Sequence, residues 1–259
     1  MKKLTTLRVL LMALLCILPL AQALASAELE RSQSEFITAA DAFQSGQYQK
    51  AMDLYAAIEA RGHESADLYF NMGNTYTRLS KPGLAIKAYR EALYRDPRSA
   101  DLEANLTFVR GQTTDAITPP APPTTASTLA FFHFQLSTSE KWIALLTVNL
   151  FFWFSWLGVR HLSNDWLRAL RGLSFITALA MVGSLGAELL LPRTDLVVTT
   201  AKTEARAGLD AKSLTRFTLH EGAELRVQEV REGYARVLLP ESGESGWVSL
   251  ADAAIVPSR

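Results

Sequence analysis

The chain has 259 residues, enough for two small domains, and its 26 basic and 26 acidic side chains leave no net charge to attract nucleic acid or another bulk polyanion. Apolar residues make up 49% of it but are gathered into three blocks, which a soluble domain of this size does not require. The only cysteine, Cys16, lies in the first block, so the rest of the chain has no disulfide, thiol nucleophile or cysteine metal site.

That first block predicts a signal peptide over 1–27. Lys2, Lys3 and Arg8 precede a core from Val9 to Leu18, and Pro19 and small residues around Ala25 and Ala27 follow. A core of ~10 residues is short of the ~20 that a spanning helix needs. An uncleaved anchor is the alternative.

Helical repeats are expected over 33–110. The segment from Phe36 aligns without a gap on the segment from Phe70, an offset of 34, which is the tetratricopeptide period. The second copy resembles that repeat closely, with Tyr69, Met72, Gly73, Tyr76, Ala85, Tyr89, Ala92 and Pro97 in the pattern's positions. The first is looser, with Ala39, Gly46, Tyr48, Ala51, Tyr55 and Ile58. Gly73 and Ala85 are small so that two antiparallel helices can cross closely, Tyr76 and Tyr89 fill the groove between hairpins, and Pro97 ends the second hairpin. A third segment from Ala100 reads as a capping helix.

The inner surface of such a stack would carry Phe36, Ala40, Phe43 and Gln44, then Phe70, Asn74, Thr77 and Arg78, with Asn105 on the cap. This is the expected groove for a partner protein, with Phe43 and Arg78 pointing away from the hairpin packing. In carboxylate-clamp members of the family, asparagines at the positions of Asn74 and Asn105 hold a peptide terminus. Here Phe70 stands where their lysine would be, which favours a generic polar lining. A phosphate cradle at Asn71-Met72-Gly73-Asn74 lacks the strand-then-glycine-loop context.

Residues 111–138 read as a semi-rigid Pro/Thr-rich spacer, with Pro119, Pro120, Pro122 and Pro123 among threonines, holding the repeats off the membrane. Two transmembrane helices are predicted at 142–159, which has no charge, and 172–191, which has only Glu188. The loop at 160–171 sets Arg160, Arg168 and Arg171 against Asp165, which assigns it to the cytoplasm and both flanks to the far side. Glu188, about a turn from the interface, reads as structural, with helix pairing or a partner's basic group as alternatives. Gly183 and Ala187 form a small-xxx-small step that would let the two helices, or a partner's helix, approach closely.

From 196 to 256, short alternating runs punctuated by glycines predict antiparallel strands closing into a small barrel. The pattern resembles bacterial SH3-like domains: Gly222 turns into a strand, the paired strand starts at Tyr234, and Gly246 and Trp247 open the closing strand. Trp247 reads as a core or rim contact. Since such domains can bind peptidoglycan peptides, a cell-wall binding module is the competing functional class.

Nothing in the sequence suggests catalysis or a cofactor. His63, His133, His161 and His220 are scattered, and no zinc, triad or nucleotide fingerprint occurs. The expected architecture is therefore a multidomain membrane protein: all-α tetratricopeptide repeats, a two-helix transmembrane hairpin and a small all-β SH3-like barrel. In this order of parts the chain resembles the BatE family, the tetratricopeptide membrane proteins of bacterial aerotolerance (Bat) operons. The resemblance implies a non-enzymatic component of the bacterial inner membrane, with its repeat and SH3-like domains in the periplasm. It also implies work beside von Willebrand A-domain Bat proteins and a MoxR-type ATPase.

Overall fold

The computed structural model describes residues 30–115, 117, 133, 135–161, 165–190, 194–210, 212–240 and 242–257. The segment 1–27 and most of the proline-rich stretch lie outside them. The chain divides into two compact units, Met1–Glu64 and Ser65–Arg259.

In the first unit, α1 (30–44) and α2 (Tyr48–Ala60) form a hairpin. Its turn depends on Gly46, whose φ of 76° costs other residues strain, while Gln47 N–H donates to Ala42 O at 2.8 Å and closes the end of α1. Ala39, Ala42, Ala51, Met52, Tyr55 and Ile58 are buried. On the rim, Arg61 and then Arg31 hold the Glu35 carboxyl below the usual carboxylate pKa. The stabilisation from this contact is present above the ordinary carboxylate range and lost as pH falls through the lowered folded value.

The second unit opens with α3 (Ala66–Arg78), α4 (Pro82–Arg95) and α5 (Ala100–Arg110). Ser65 caps α3 by accepting from Leu68 N–H at 3.1 Å, and Ser99 caps α5 in the same way. Pro82 starts α4, where its missing N–H costs nothing. The helices are sharply amphipathic in packing: Leu68, Tyr69 and Met72 of α3 and Ala85, Ile86, Tyr89 and Ala92 of α4 are buried.

Two further helices, α6 (Thr138–His161) and α7 (Asp165–Leu190), pack as an antiparallel pair and are long and apolar enough to cross a membrane. Both run past the apolar windows into the polar stretch between them, because arginine and histidine do not end a helix. Their close approach is at Gly158, where an added Cβ would lie 3.0 Å from Leu167 Cδ1. Gly183 faces open space. The pair is pinned at the opposite end by an ion pair between Lys141, fully buried, and Glu188. Lys141 Nζ also donates to His133 O at 2.9 Å. Glu188 thus pairs the two helices, one of the alternatives the sequence leaves open.

The C-terminal strands are β1 (Thr194–Val198), β2 (Lys202–Arg206), β3 (Thr215–His220), β4 (Glu224–Arg231), β5 (Tyr234–Leu238), β6 (Ser245–Ser249) and β7 (Ala253–Pro257). They form one antiparallel sheet in the order β3-β2-β6-β5-β4-β1-β7. Alternation places Thr203, Ala205, Ala235, Val237, Gly246 and Val248 on the inner face, over a core that includes Leu196, Leu219 and Leu225. The expected barrel is not formed, because β3 and β7 remain the edges of an open sheet. Helix α4 instead packs on β1 and β7, with Arg90 donating to Pro257 O at 2.9 Å, so the β7 edge is covered by a helix rather than closed by a strand.

Candidate partner-binding site on the repeat

The repeat's exposed face is built on α3, where Phe70, Asn74 and Thr77 are half-buried and Arg78 is exposed. Asn74 is the hub. Its Oδ1 accepts from Tyr89 Oη at 2.8 Å and from Asn105 Nδ2 at 3.2 Å, tying α3, α4 and α5 together at one point. Those two donors fix the amide's orientation, which leaves its NH2 group with no hydrogen bond among the described residues and available to an acceptor on a partner. Phe70 leans on the Tyr89 ring at 6.3 Å between centroids. Thr77 Oγ1 donates to Gly73 O at 2.8 Å, so its hydroxyl is spent within the helix.

Burial raises the pKa of the Tyr89 hydroxyl, with an opposing effect from its contact with Thr77. A raised value means that the neutral donor is favoured in the fold. The corresponding stability is complete below a pH of about 10 and lost as pH rises through the folded value.

Gly73 and Ala85 are buried at the α3–α4 crossing and Ala92 continues the α4 side of it, whereas Tyr76 is half-buried and Pro97 follows α4. Asn71 to Asn74 lie inside a continuous helix, and Asn71 Nδ2 donates to Asp67 O at 2.8 Å. Their N–H groups are used by the helix, which removes the phosphate-cradle reading. On α1, Phe36 packs edge-on against Tyr55 and Phe43 against Tyr48, with centroids 5.6 and 5.3 Å apart. Phe43 therefore belongs partly to its own hairpin's packing and does not point wholly away from it. Gln44 is exposed.

The largest feature that sequence reasoning misses is an ion cluster joining the repeat to the sheet. Glu224, fully buried at the start of β4, accepts from Arg110 Nε at 2.6 Å and Arg90 Nη1 at 3.2 Å. Asp195, also buried, accepts from Arg90 Nη2 at 2.6 Å and Arg226 Nε at 2.7 Å. Beside it, Gly83 lets α4 approach so closely that an added Cβ would lie 2.2 Å from Val198 O. Gly222, with φ of 90°, turns under Ile86 and Thr113. The described ends of the spacer are docked as well: Asp115 accepts from His220 N–H at 2.6 Å, and Arg98 pairs with Glu140 at the head of α6. Residues at the end of α4 and just after it thus contact the start of a membrane-length helix.

Gly246 and Trp247 lie on β6, Gly246 facing the core, where an added Cβ would be 2.9 Å from Ala205 Cβ, and Trp247 facing outward. Tyr234 starts β5 on the same outer face. Tyr234 and Trp247 thus lie on the sheet and not among the residues of the repeat's α3 face.

Among known proteins, no curated protein matches the chain. A family model, the tetratricopeptide repeat, matches residues 66–99, which run from the first residue of α3 through α4 to the cap of α5. Together with the Gly73–Tyr89 crossing and the offset of 34, this identifies residues 66–99 as a tetratricopeptide repeat.

Proposed function

We propose that the protein is a non-enzymatic, membrane-anchored interaction scaffold whose repeat captures a partner protein. Tetratricopeptide repeats generally mediate protein–protein interactions. The observation that carries the reading is the α3 face, where the free amide nitrogen of Asn74 and the exposed Arg78 guanidinium present donors on a helix held rigid by Tyr89 and Asn105. Such donors suit backbone carbonyls or carboxylates of an extended partner segment. In capture of a cross-linked partner from native membranes, Arg78→Ala, at an exposed position, should weaken recovery about tenfold or more while the melting temperature moves little. Undiminished capture by that variant would remove the α3 face from the binding role. The test uses the full chain, because the sheet is part of the body on which α4 rests.

Two arguments support the orientation that goes with this reading. The packing of α4 on β1 and β7 supports a common side for the segments flanking the α6–α7 pair, in keeping with an even number of crossings. Arg160, Arg168 and Arg171 against Asp165 put the intervening turn in the cytoplasm of a bacterium. The repeat and the sheet are then periplasmic, beside the inner membrane. Alkaline phosphatase fused after Ser127 or Pro257 should be active and after Asp165 inactive, and the reverse pattern would invert the assignment. We further assign the chain to a Bat-type aerotolerance or envelope-stress system. Von Willebrand A-domain membrane proteins and a MoxR-type ATPase are the partners to look for among the cross-linked species.

A further inference from the structure

The outer face of the sheet holds a second site, on elements that the repeat does not use. Inward Thr203, Ala205, Ala235 and Val248 put Lys202, Glu204, Arg206, Tyr234 and Trp247 on that face. Strand β2 follows β3 over its whole length but pairs with β6 only at Arg206 and Trp247, so β2 and β6 part beyond that point. The gap is a cleft of about 380 Å³, within the range of about 300–1,000 Å³ usual for small-ligand sites. Lys202 and Glu204 line it from β2, and Tyr234 and Trp247 from β5 and β6. Thr203 Oγ1 donates to Asp252 Oδ2 at 2.9 Å, which holds β2 to the turn that follows β6.

The lining carries no net charge. Lys202 and Arg206 stand against Glu204 and Asp252, and on the neighbouring strands Arg236 lies opposite Glu229. Donors and acceptors both remain unused. The Lys202 ammonium, the Tyr234 hydroxyl and the Trp247 indole N–H make no hydrogen bond among the described residues. Glu204 is engaged through Oε2, which accepts from Arg206 and Thr215, and Asp252 through Oδ2, so that Glu204 Oε1 and Asp252 Oδ1 stay open among the same residues. Tyr234 and Trp247 are diagonal neighbours on one face, since Tyr234 lies opposite Ser249 and Arg236 opposite Trp247. The two rings form an aromatic wall beside these polar groups.

We propose that this cleft binds an uncharged saccharide. A hydroxyl is donor and acceptor at once, so neighbouring hydroxyls of one ring satisfy an ammonium and a carboxylate side by side. An anion is drawn to Lys202 and Arg206 and repelled by Glu204 and Asp252, and a cation meets the reverse, so the balanced lining favours neither. The C–H face of a pyranose ring is apolar and lies flat on an indole, which makes Trp247 the platform and Tyr234 its flank. Lys202 and Glu204 then fix the hydroxyls at the ring's edge.

Trp247 is the only tryptophan outside α6 and α7, so its indole signal, ¹⁵N-labelled and assigned through Trp247→Phe, reports this cleft in the full-length protein. In phosphocholine micelles, where no detergent sugar competes, an N-acetylglucosamine trimer or a β-linked glucose trimer should shift that resonance saturably. The tighter of the two tells an acetamido-bearing glycan from a plain one. Raising the salt tenfold should change the affinity by about twofold or less, because no charge is exchanged. Saturation transfer to the sugar C–H protons should persist in Trp247→Phe and fall about fivefold or more in Trp247→Ala. Lys202→Ala, at an exposed position, should weaken binding about threefold or more. The Val248 methyl signals check that the sheet is intact in each variant. Absence of saturation with both trimers, a strongly salt-dependent affinity, or parental binding by both Trp247→Ala and Lys202→Ala overturns the proposal. So does tighter binding of an acetylated, amidated hexapeptide of glutamate, lysine or glycine, or of a muramyl stem peptide, each of which would make the cleft a peptide site.

Discussion

Replacing Glu224 with alanine is expected to destabilise the second unit by about 3–5 kcal/mol, the range for removing one partner from a buried ionic network. The cluster holds three guanidinium groups, of Arg90, Arg110 and Arg226, against the two carboxylates of Asp195 and Glu224. With Glu224 gone, three cations face Asp195 alone, and Arg110 loses the partner its Nε and Nη2 both use. Arg90→Met removes a cation instead and leaves each carboxylate one guanidinium, so it should cost less, about 1.5–3 kcal/mol for the lost charged hydrogen bonds. A triple variant, Glu224→Leu with Arg90→Met and Arg110→Leu, keeps the balanced Asp195–Arg226 pair and should be more stable than Glu224→Ala by itself. Thermal unfolding in detergent, read alongside hydrogen exchange of α4 and β1, checks the order. If Glu224→Ala melts with the parent, the cluster does not hold the repeat to the sheet.

Why that cluster was invisible in the sequence is instructive when set beside what was legible. The repeat could be read because its signal is local: small residues at Gly73 and Ala85 and rings at Tyr76 and Tyr89 recur at helical spacing within one period. The membrane-length helices were legible by composition, and the strands by alternation. The contacts between these parts join residues far apart. Arg90 lies 105 positions from Asp195 and 134 from Glu224, and neither carboxylate sits in a pattern that distinguishes it from a solvated strand residue. The same absence explains the barrel. Local alternation predicts strands but not closure, and whether β7 meets another strand or a helix depends on the docking of α4. Glu188 is a milder case, since its place near the end of an apolar run marked it, while its partner Lys141 lay just outside the predicted span.

The repeat face was legible in the residues it uses but not in their wiring. Asn74 and Asn105 could be picked out as groove asparagines. That Asn74 accepts from both Asn105 and Tyr89 follows only from the packing of α3, α4 and α5 together, and this wiring makes Asn74 a fixed donor and not a freely rotating one. Phe43 departs from its expected free position for a related reason: Tyr48, the first residue of α2, lies close enough to claim its ring, a contact across the turn that a helical pattern alone does not show.

Gly73 offers a test in which the sign of the effect decides. In an unconstrained helix, Gly→Ala stabilises by about 1 kcal/mol, because glycine has more backbone freedom to lose. At this position a Cβ would lie 2.6 Å from Tyr89 Cε1 and 2.7 Å from Cδ1, and the ring cannot yield freely, since its hydroxyl is held by Asn74 and the side chain is almost wholly buried. Gly73→Ala should therefore destabilise, by about 1–3 kcal/mol of overpacking, against its helix propensity. Gly73→Leu should cost more, about 2–5 kcal/mol, because displacing the ring also breaks the hydrogen bond to Asn74 and strands a buried hydroxyl. Tyr89→Phe removes only that bond and should cost about 1 kcal/mol. Combining Gly73→Ala with Tyr89→Leu, which shortens the obstructing side chain, should give a loss smaller than the sum of the two single losses, since the clash exists only when both groups are present. Partner capture should fall with helix content in Gly73→Leu, in contrast to the exposed Arg78, whose replacement affects capture alone. A Gly73→Ala protein that melts higher than the parent would mean that the α3–α4 crossing is looser than this geometry, and that the α3 face is not the rigid donor surface on which the scaffold reading rests.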